Sequence, residues 1–475
     1  MSSPPLEAIR PLMVTQENPA REDTNGMDYS RCAALHNAIL QHGWLKTGRS
    51  QEEYELTARP YLEVNPQAGQ NLHPSLLAFL SAARTLPLNH EVNFFYNVWG
   101  LTLASGNHEG CFPESDQTVT LYGSHLEHAS QPDGLVYDQR THKAIMHFDI
   151  TDDLKPDQPW QRLETILTVW IEMIQCQKVV ALPDTVGRDA FEDHPEGGFR
   201  LIPGLERDPE TGAKRLEDAP YPWTIVPWTS QDLEGSLRLW DGIRERIERQ
   251  MGLNPAGERQ ALLDSEALST LAFPEGFATQ LLSRARRPRF TYFAPGLRVA
   301  TEQEILHQPF IYNEENSDVE DEPSKVPPLL LLRTDVSVGA AGLFWLRAFE
   351  PVIPLSAKCP CGLYLTPCDR TYRYPQENGC SLVLPRTSSS GWARKADLGP
   401  VESYDDLLQT GVNAFNDLHP ISLSAFLENV CFQIEQGRWS VDGEGVAGGL
   451  EKWGEADTEE RCMDFMTNVG PQGHW

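Results

Sequence analysis

DGLVYDQRTHKAIMHFDITDD (133–153), then PWQRLETILTVWIEMIQCQK (159–178) running into VVALP (179–183), is the stretch that sets the fold class. In its first part Ala144, Met146, Phe148 and Ile150 alternate with Ile145, His147 and Asp149, a period of two that predicts the second strand of a hairpin. In its second part Leu163, Ile166, Leu167, Trp170, Ile171 and Ile174 recur at helical spacing, with Glu164 and Glu172 on the outer side, which predicts an amphipathic helix. VVALP closes as a short strand, giving the region a βαβ rhythm. The expected class is therefore α/β or α+β: a mixed sheet flanked by amphipathic helices, in one large domain or two lobes.

The pattern continues outward on both sides. Residues 1–27 are polar, carry prolines and lack periodicity, and read as a disordered segment. Asp28 opens a helix through Cys32, Leu35 and Ile39, with Gly43 as its expected stop. A second helix begins at HPSLLAFLSAARTL (73–86), and EVNFFYNVWGLTLAS (91–105) suits a buried strand and its turn. After a polar loop over 184–222, Leu233, Leu237, Trp240, Ile247 and Met251 define a helix at about 230–251. NEENSDVEDEPSKVPP (313–328) reads as an acidic, proline-ended linker or loop between an α/β main domain (28–312) and a C-terminal α+β part (329–475). That last part is expected to hold helices at about 403–410 and 422–436.

Composition narrows the classes. With 475 residues, 40% hydrophobic and 23% charged, the chain has the makings of an ample core. The longest apolar run, VPPLLLL (326–332), is too short to span a bilayer, and the N-terminal stretch lacks a secretory pattern. Nine scattered cysteines suit a reducing compartment, so a cytoplasmic location is expected. The net charge of −29 argues against a general nucleic-acid or membrane-surface binder, and a polyanion would need a local basic surface.

Five constellations are candidates for chemistry. Asp405 and Asp406 follow Ser403 in VESYDDLLQTG (401–411), where they fit the positive first turn of a capped helix or a carboxylate pair that binds a cation and holds a proton. SRARRPRFTYFAPGLR (283–298) crowds Arg284, Arg286, Arg287, Arg289 and Arg298 among aromatics, as a polyanion dock or an internal counter-patch for the acids. Arg244, Arg246 and Arg249 on the preceding helix extend it. Cys359, Cys361, Cys368 and Cys380 have the donor type for zinc but not paired CxxC knuckles. His147 and Asp149 begin a facial triad for iron, with His194 as the third ligand and Arg200 for a co-substrate carboxylate. The glycine-rich WSVDGEGVAGGLEKWGEADTEE (439–460) lacks the lysine and strand of a phosphate loop.

Three segments, RLETILTVWIEMIQ (162–175), SYDDLLQTG (403–411) and RWSVDGEGVAGGLEKWGEADTEE (438–460), resemble the fungal arginine-containing cyclodipeptide synthases. Members of that family carry an acidic DDxxE signature; here the stretch is Asp405-Asp406-Leu407-Leu408-Gln409, so Gln409 stands where an acid is expected. The resemblance implies a tRNA-dependent enzyme of secondary metabolism that joins arginine to a second amino acid as a diketopiperazine. Its partners would be arginyl-tRNA and a second aminoacyl-tRNA, with no membrane and no DNA. Both amino acids arrive as activated esters, so no cofactor is required. Asp405 and Asp406 would act as substrate-positioning or general-base groups and Gln409 in substrate binding. Arg284, Arg286, Arg287 and Arg289 would be the tRNA contacts.

Two other classes stay open on the residues alone. One is a non-haem iron oxidative tailoring enzyme built on His147 and Asp149. The other is a non-enzymatic interaction protein that docks through its acidic surface.

Overall fold

The computed structural model describes residues 5–22, 25–87, 92–104, 117–124, 134–147, 160–183, 222–254, 260–271, 273–308, 325–339, 358–369, 376–385, 390–394, 401 and 421–467. Helices and mostly antiparallel strands are interspersed around two hydrophobic cores, one within 6–225 and one within 228–465. The fold is α+β.

The N-terminal core is built from helices α1 (Tyr29–Lys46), α2 (Pro74–Ala82) and α3 (Leu163–Gln175) and a sheet β1 (Val98–Ala104), β2 (Thr118–Ser124), β3 (Gly134–Asp138), β4 (Lys143–His147). The four strands pair in chain order, all antiparallel, and β3–β4 is the hairpin expected from 133–153. Asp28 caps α1 by accepting from Arg31 N, and the helix runs past the expected stop at Gly43. Gly43 is instead a contact point: a Cβ there would lie 2.8 Å from the indole of Trp223.

α3 departs from the amphipathic expectation. Buried residues surround its axis, so it is the central helix of this core, with Trp170 stacked on Phe95 at 5.1 Å. Glu164, expected outside, is 2% exposed. The βαβ rhythm is also corrected: β5 (Val179–Ala181) pairs antiparallel with β6 (Trp223–Ile225) in a separate two-stranded ladder. Nor is the described part of 1–27 disordered. Arg31 reaches back from α1 and donates to the carbonyls of Leu12, Met13, Asn18 and Pro19 at 2.6–3.0 Å. Leu6 and Met13 are buried, and Val14 N donates to Thr168 Oγ1 at 3.0 Å. Composition alone misses this order because Arg31, distant in sequence, supplies the donors.

The C-terminal core packs α4 (Ser230–Gln250), α5 (Phe277–Arg284) and α6 (Leu423–Glu435) against a larger sheet. Its strands are β7 (Tyr292–Ala294), β8 (Leu297–Val299), β9 (Leu329–Gly339), β10 (Lys358–Leu365), β11 (Cys380–Val383), β12 (Val441–Asp442) and β13 (Gly445–Val446). The seven lie in the order β11-β10-β9-β8-β7-β13-β12. β13 runs parallel to β7 through Gly445 and Tyr292, and the other pairs are antiparallel, so the sheet is mixed as expected. Because β8 pairs with β9 through Arg298 and Arg333, the chain on either side of 313–328 belongs to one sheet. Residues 313–324 of that stretch lie outside the described residues, and the hydrophobic cores change over at 226–228. Among the described residues, no helix is long and apolar enough to cross a membrane.

Candidate functional site

The arginine-rich stretch 283–298 leaves α5, turns under α4 and enters β7 and β8. α4 is opened by a capping box, Thr229 and Asp232 exchanging side-chain and backbone hydrogen bonds. Glu234, Asp241, Glu245 and Glu248 lie along α4 at spacings that share a face, and the arginines meet them there. Arg284 pairs with Glu234, and Arg286 lies 3.4 Å from Asp241 and 3.5 Å from Glu245. Arg289 donates to both oxygens of Glu248 at 3.2–3.3 Å. The buried Arg244, from the same helix, reaches Glu248 at 2.7 Å. Arg287 donates to the carbonyls of Leu262 and Ala300. Arg246 pairs with Glu435 of α6, and Arg249 lies 3.9 Å from Glu245. The counter-patch geometry is thus the one present: these guanidinium groups are held by acids and carbonyls of the same chain.

A second cluster lies across the sheet, beside the short helix Glu302–Leu306. The Glu304 carboxylate accepts from Arg298 Nη1 and Nη2 and from Arg333 Nη1, each at 2.7 Å, and from Thr301 N at 2.9 Å. The Arg298 pair holds the Glu304 pKa down to about 2 despite partial desolvation. Glu304, Arg333, Gln303, His307, Gln308 and Pro360 help line an open cleft of about 350 Å³. Gln308 continues the sheet there: its amide accepts from Leu330 N at 2.7 Å and donates to Leu330 O at 3.3 Å, standing in for a strand neighbour. Sequence reasoning did not single out Glu304. The Thr301-x-x-Glu304 capping box was its signal, although the two arginines that meet it come from separate strands.

The remaining candidates separate. Asp405, Asp406 and Gln409 lie outside the described residues, as do Asp149, His194 and Arg200. The described flanks of the acid pair, Val401 and Ile421, are both buried in the C-terminal core. His147 ends β4 with its side chain buried. The four cysteines do not converge. Cys380 sits opposite Leu365 in the β10–β11 ladder, four positions along β10 from Cys361, or about 13 Å at strand rise. Cys368 belongs to a different ladder, opposite Val326. Among the described residues, no three His, Cys, Asp or Glu side chains form a group able to hold a metal. Burial pushes the thiol of Cys359 up to about 11 and that of Cys380 higher still, as expected for packed thiols.

The glycine-rich segment has a structural account. It forms the β12–β13 hairpin and a 3₁₀ helix, and Trp439 and Trp453 pack edge-to-face at 5.2 Å. Trp453 Nε1 donates to Pro295 O at 2.9 Å, tying the segment to the β7–β8 turn.

Sequence reasoning also passed over Lys178, which sits between α3 and β5. It is buried where the two cores meet and bonds to Pro227 and Asn378. A lone lysine after an apolar helix reads as a C-terminal cation, so no local pattern distinguishes it.

Compared with family models, curated proteins and solved structures, the chain matches none.

Proposed function

We propose that the protein is an aminoacyl-tRNA-dependent cyclodipeptide synthase that uses arginine as one substrate. The observation that carries the reading is the Asp405–Asp406 pair in DDLLQ, within the segment that resembles that family. The buried flanks Val401 and Ile421 support it, since they tether both ends of an acidic segment to the C-terminal core.

The chemistry asks little beyond positioning. Two esters bring activated carbonyls, and the enzyme must take a proton from an attacking amine and orient it. One aspartate accepts the bidentate guanidinium of arginine, while the other serves as base. Gln409, in place of an acid, keeps a hydrogen-bonding group without adding a third charge.

The tRNA side of the proposal carries a specific demand. Phosphates must displace Glu234, Asp241, Glu245 and Glu248 from the arginines that now hold them. Contact is therefore confined to a few phosphates near the acceptor end, and affinity falls only shallowly with salt.

The test is small-molecule profiling of a host expressing this chain. An arginine-containing diketopiperazine is expected, and ribonuclease treatment of the lysate abolishes its formation. Asp406→Asn lowers product about 10²–10⁴-fold, the contribution of a positioned base, while circular dichroism stays unchanged. Product that survives ribonuclease, or full activity in the Asp405→Asn/Asp406→Asn double variant, overturns the reading.

One observation favours a second reading, a non-enzymatic docking protein. The internally paired arginines leave the net charge of −29 as the chief surface property. Such a protein retains its partner in the double aspartate variant and yields no diketopiperazine in the wild type.

A further inference from the structure

Lys178 is 1% exposed. Its Nζ donates to Asn378 Oδ1 at 2.8 Å and to Pro227 O at 3.2 Å, and Asp232 Oδ2 lies 3.8 Å away. Each member of this group is fixed by a different part of the fold. Lys178 is held by the chain leaving α3, its carbonyl accepting from Val226 N at 2.8 Å. Asn378 is also 1% exposed, and its carbonyl accepts from Leu423 N at the start of α6 at 2.8 Å. Asp232 is locked in the α4 capping box, accepting from Thr229 N at 2.8 Å.

A buried amine and a buried carboxamide are therefore held together beside a half-buried carboxylate, with little freedom to part. This is the arrangement in which an intramolecular attack gains most from preorganisation. We propose that Lys178 and Asn378 form an isopeptide bond, with Asp232 carrying the proton.

In the first step Asp232 takes a proton from the Lys178 ammonium. The freed nitrogen lone pair then attacks Cγ of Asn378, forming a C–N bond and a tetrahedral carbon. The proton passes from Asp232 to the departing nitrogen, the attacking nitrogen gives up its second proton to the same leaving group, the old C–N bond breaks, and ammonium leaves. One amide replaces another, no group is oxidised or reduced, and charge is conserved. No oxidant, nucleotide or metal enters the balance.

The surroundings favour the first step. Burial pulls the Lys178 pKa down, against the opposing charge of Asp232. The hydrogen bond from Lys178 to Asn378 Oδ1 holds the amine against the carboxamide that it attacks. The product ties the N-terminal core to the entry of β11 in the C-terminal core, joining positions separated by 200 residues.

The test is the intact mass of the full folded chain under denaturing conditions, after prolonged incubation at growth temperature. The wild type is expected to be lighter than its sequence by one ammonia, and a protease digest yields a branched peptide linking 178 to 378. Lys178→Arg, which keeps the cation, and Asp232→Asn are expected to retain full mass. A wild type at full sequence mass overturns the proposal whether or not any variant folds. Loss of ammonia that persists in Lys178→Arg also overturns it, since the loss then arises elsewhere.

Discussion

Two buried titratable side chains in the N-terminal core work against each other as pH changes. His36 Nε2 lies 2.7 Å from Arg84 O, which only accepts, so Nε2 carries the proton and Nδ1 accepts from Tyr122 OH at 2.8 Å. The ring stacks on Phe94 at 4.5 Å, and burial lowers its pKa from 6.5 to about 4. Between those values the unfolded chain binds a proton that the native one refuses, so stability falls as pH drops through the window. The fall amounts to about 3 kcal/mol for a fully buried group. Thermal unfolding of His36→Gln, followed across that range, is expected to flatten this slope. An unchanged slope assigns the acid sensitivity to other groups.

Glu164 has the opposite sign. Desolvation raises its pKa; among the described residues, Arg21 N at 3.4 Å and Cys32 Sγ at 3.5 Å are its hydrogen-bond partners from other segments. The native state therefore keeps a proton that the unfolded chain releases, and stability declines as pH rises out of the ordinary glutamate range. Glu164→Gln retains the shape and removes the ionisation. Its stability is expected to equal or exceed the wild type at neutral pH and to lose that decline. Destabilisation by more than about 2 kcal/mol shows that the carboxylate is needed as an ion.

At the scale of elements, the hairpin β3–β4 and helices α1, α3, α4 and α6 were legible because their apolar spacing is local and regular. The burial of Glu164 was not, because it depends on Cys32 and the N-terminal segment packing over that side of α3. The arginine stretch shows the same limit. Its spacing announces a basic surface, while the acids that neutralise it stand on a different helix. The paired acids at 405–406 were legible as a pattern, yet spacing alone does not separate a cap from a base.

The glycines of 443–449 suggested a phosphate loop only by composition. Gly445 has φ of 119°, and a Cβ there would run into the carbonyl of Tyr292 across the parallel β7–β13 contact. Gly445→Ala is expected to detach this edge of the sheet, with a loss of about 1–3 kcal/mol from backbone strain and clash. Tryptophan fluorescence should report the change through Trp439 and Trp453. An unaltered melting temperature and spectrum count against a tight contact at this position.

For the whole molecule, the linker or loop expected at 313–328 falls between two strands, β8 and β9, that pair in one sheet. The division that matters, at 226–228, is marked by no run of glycine or charge. It follows from which apolar residues find each other. A fragment of residues 1–226 contains the complete N-terminal cluster and is expected to unfold with its own cooperative thermal transition. A broad, non-cooperative melt of that fragment shows that the first core requires the second.

The position of Lys178 also imposes an order on birth. The ribosome makes this lysine 200 residues before Asn378, an interval of roughly 10–40 s at ordinary synthesis rates. For that time a nascent N-terminal half that has already collapsed holds a cation at its seam, with neither its amide partner nor the rest of the second core yet made. Until then the Lys178 amine lacks the Asn378 contact that helps to bury it in the finished chain. A chain cut before residue 378 is thus expected to leave the Lys178 amine open to amine-reactive labelling, where the full chain shields it.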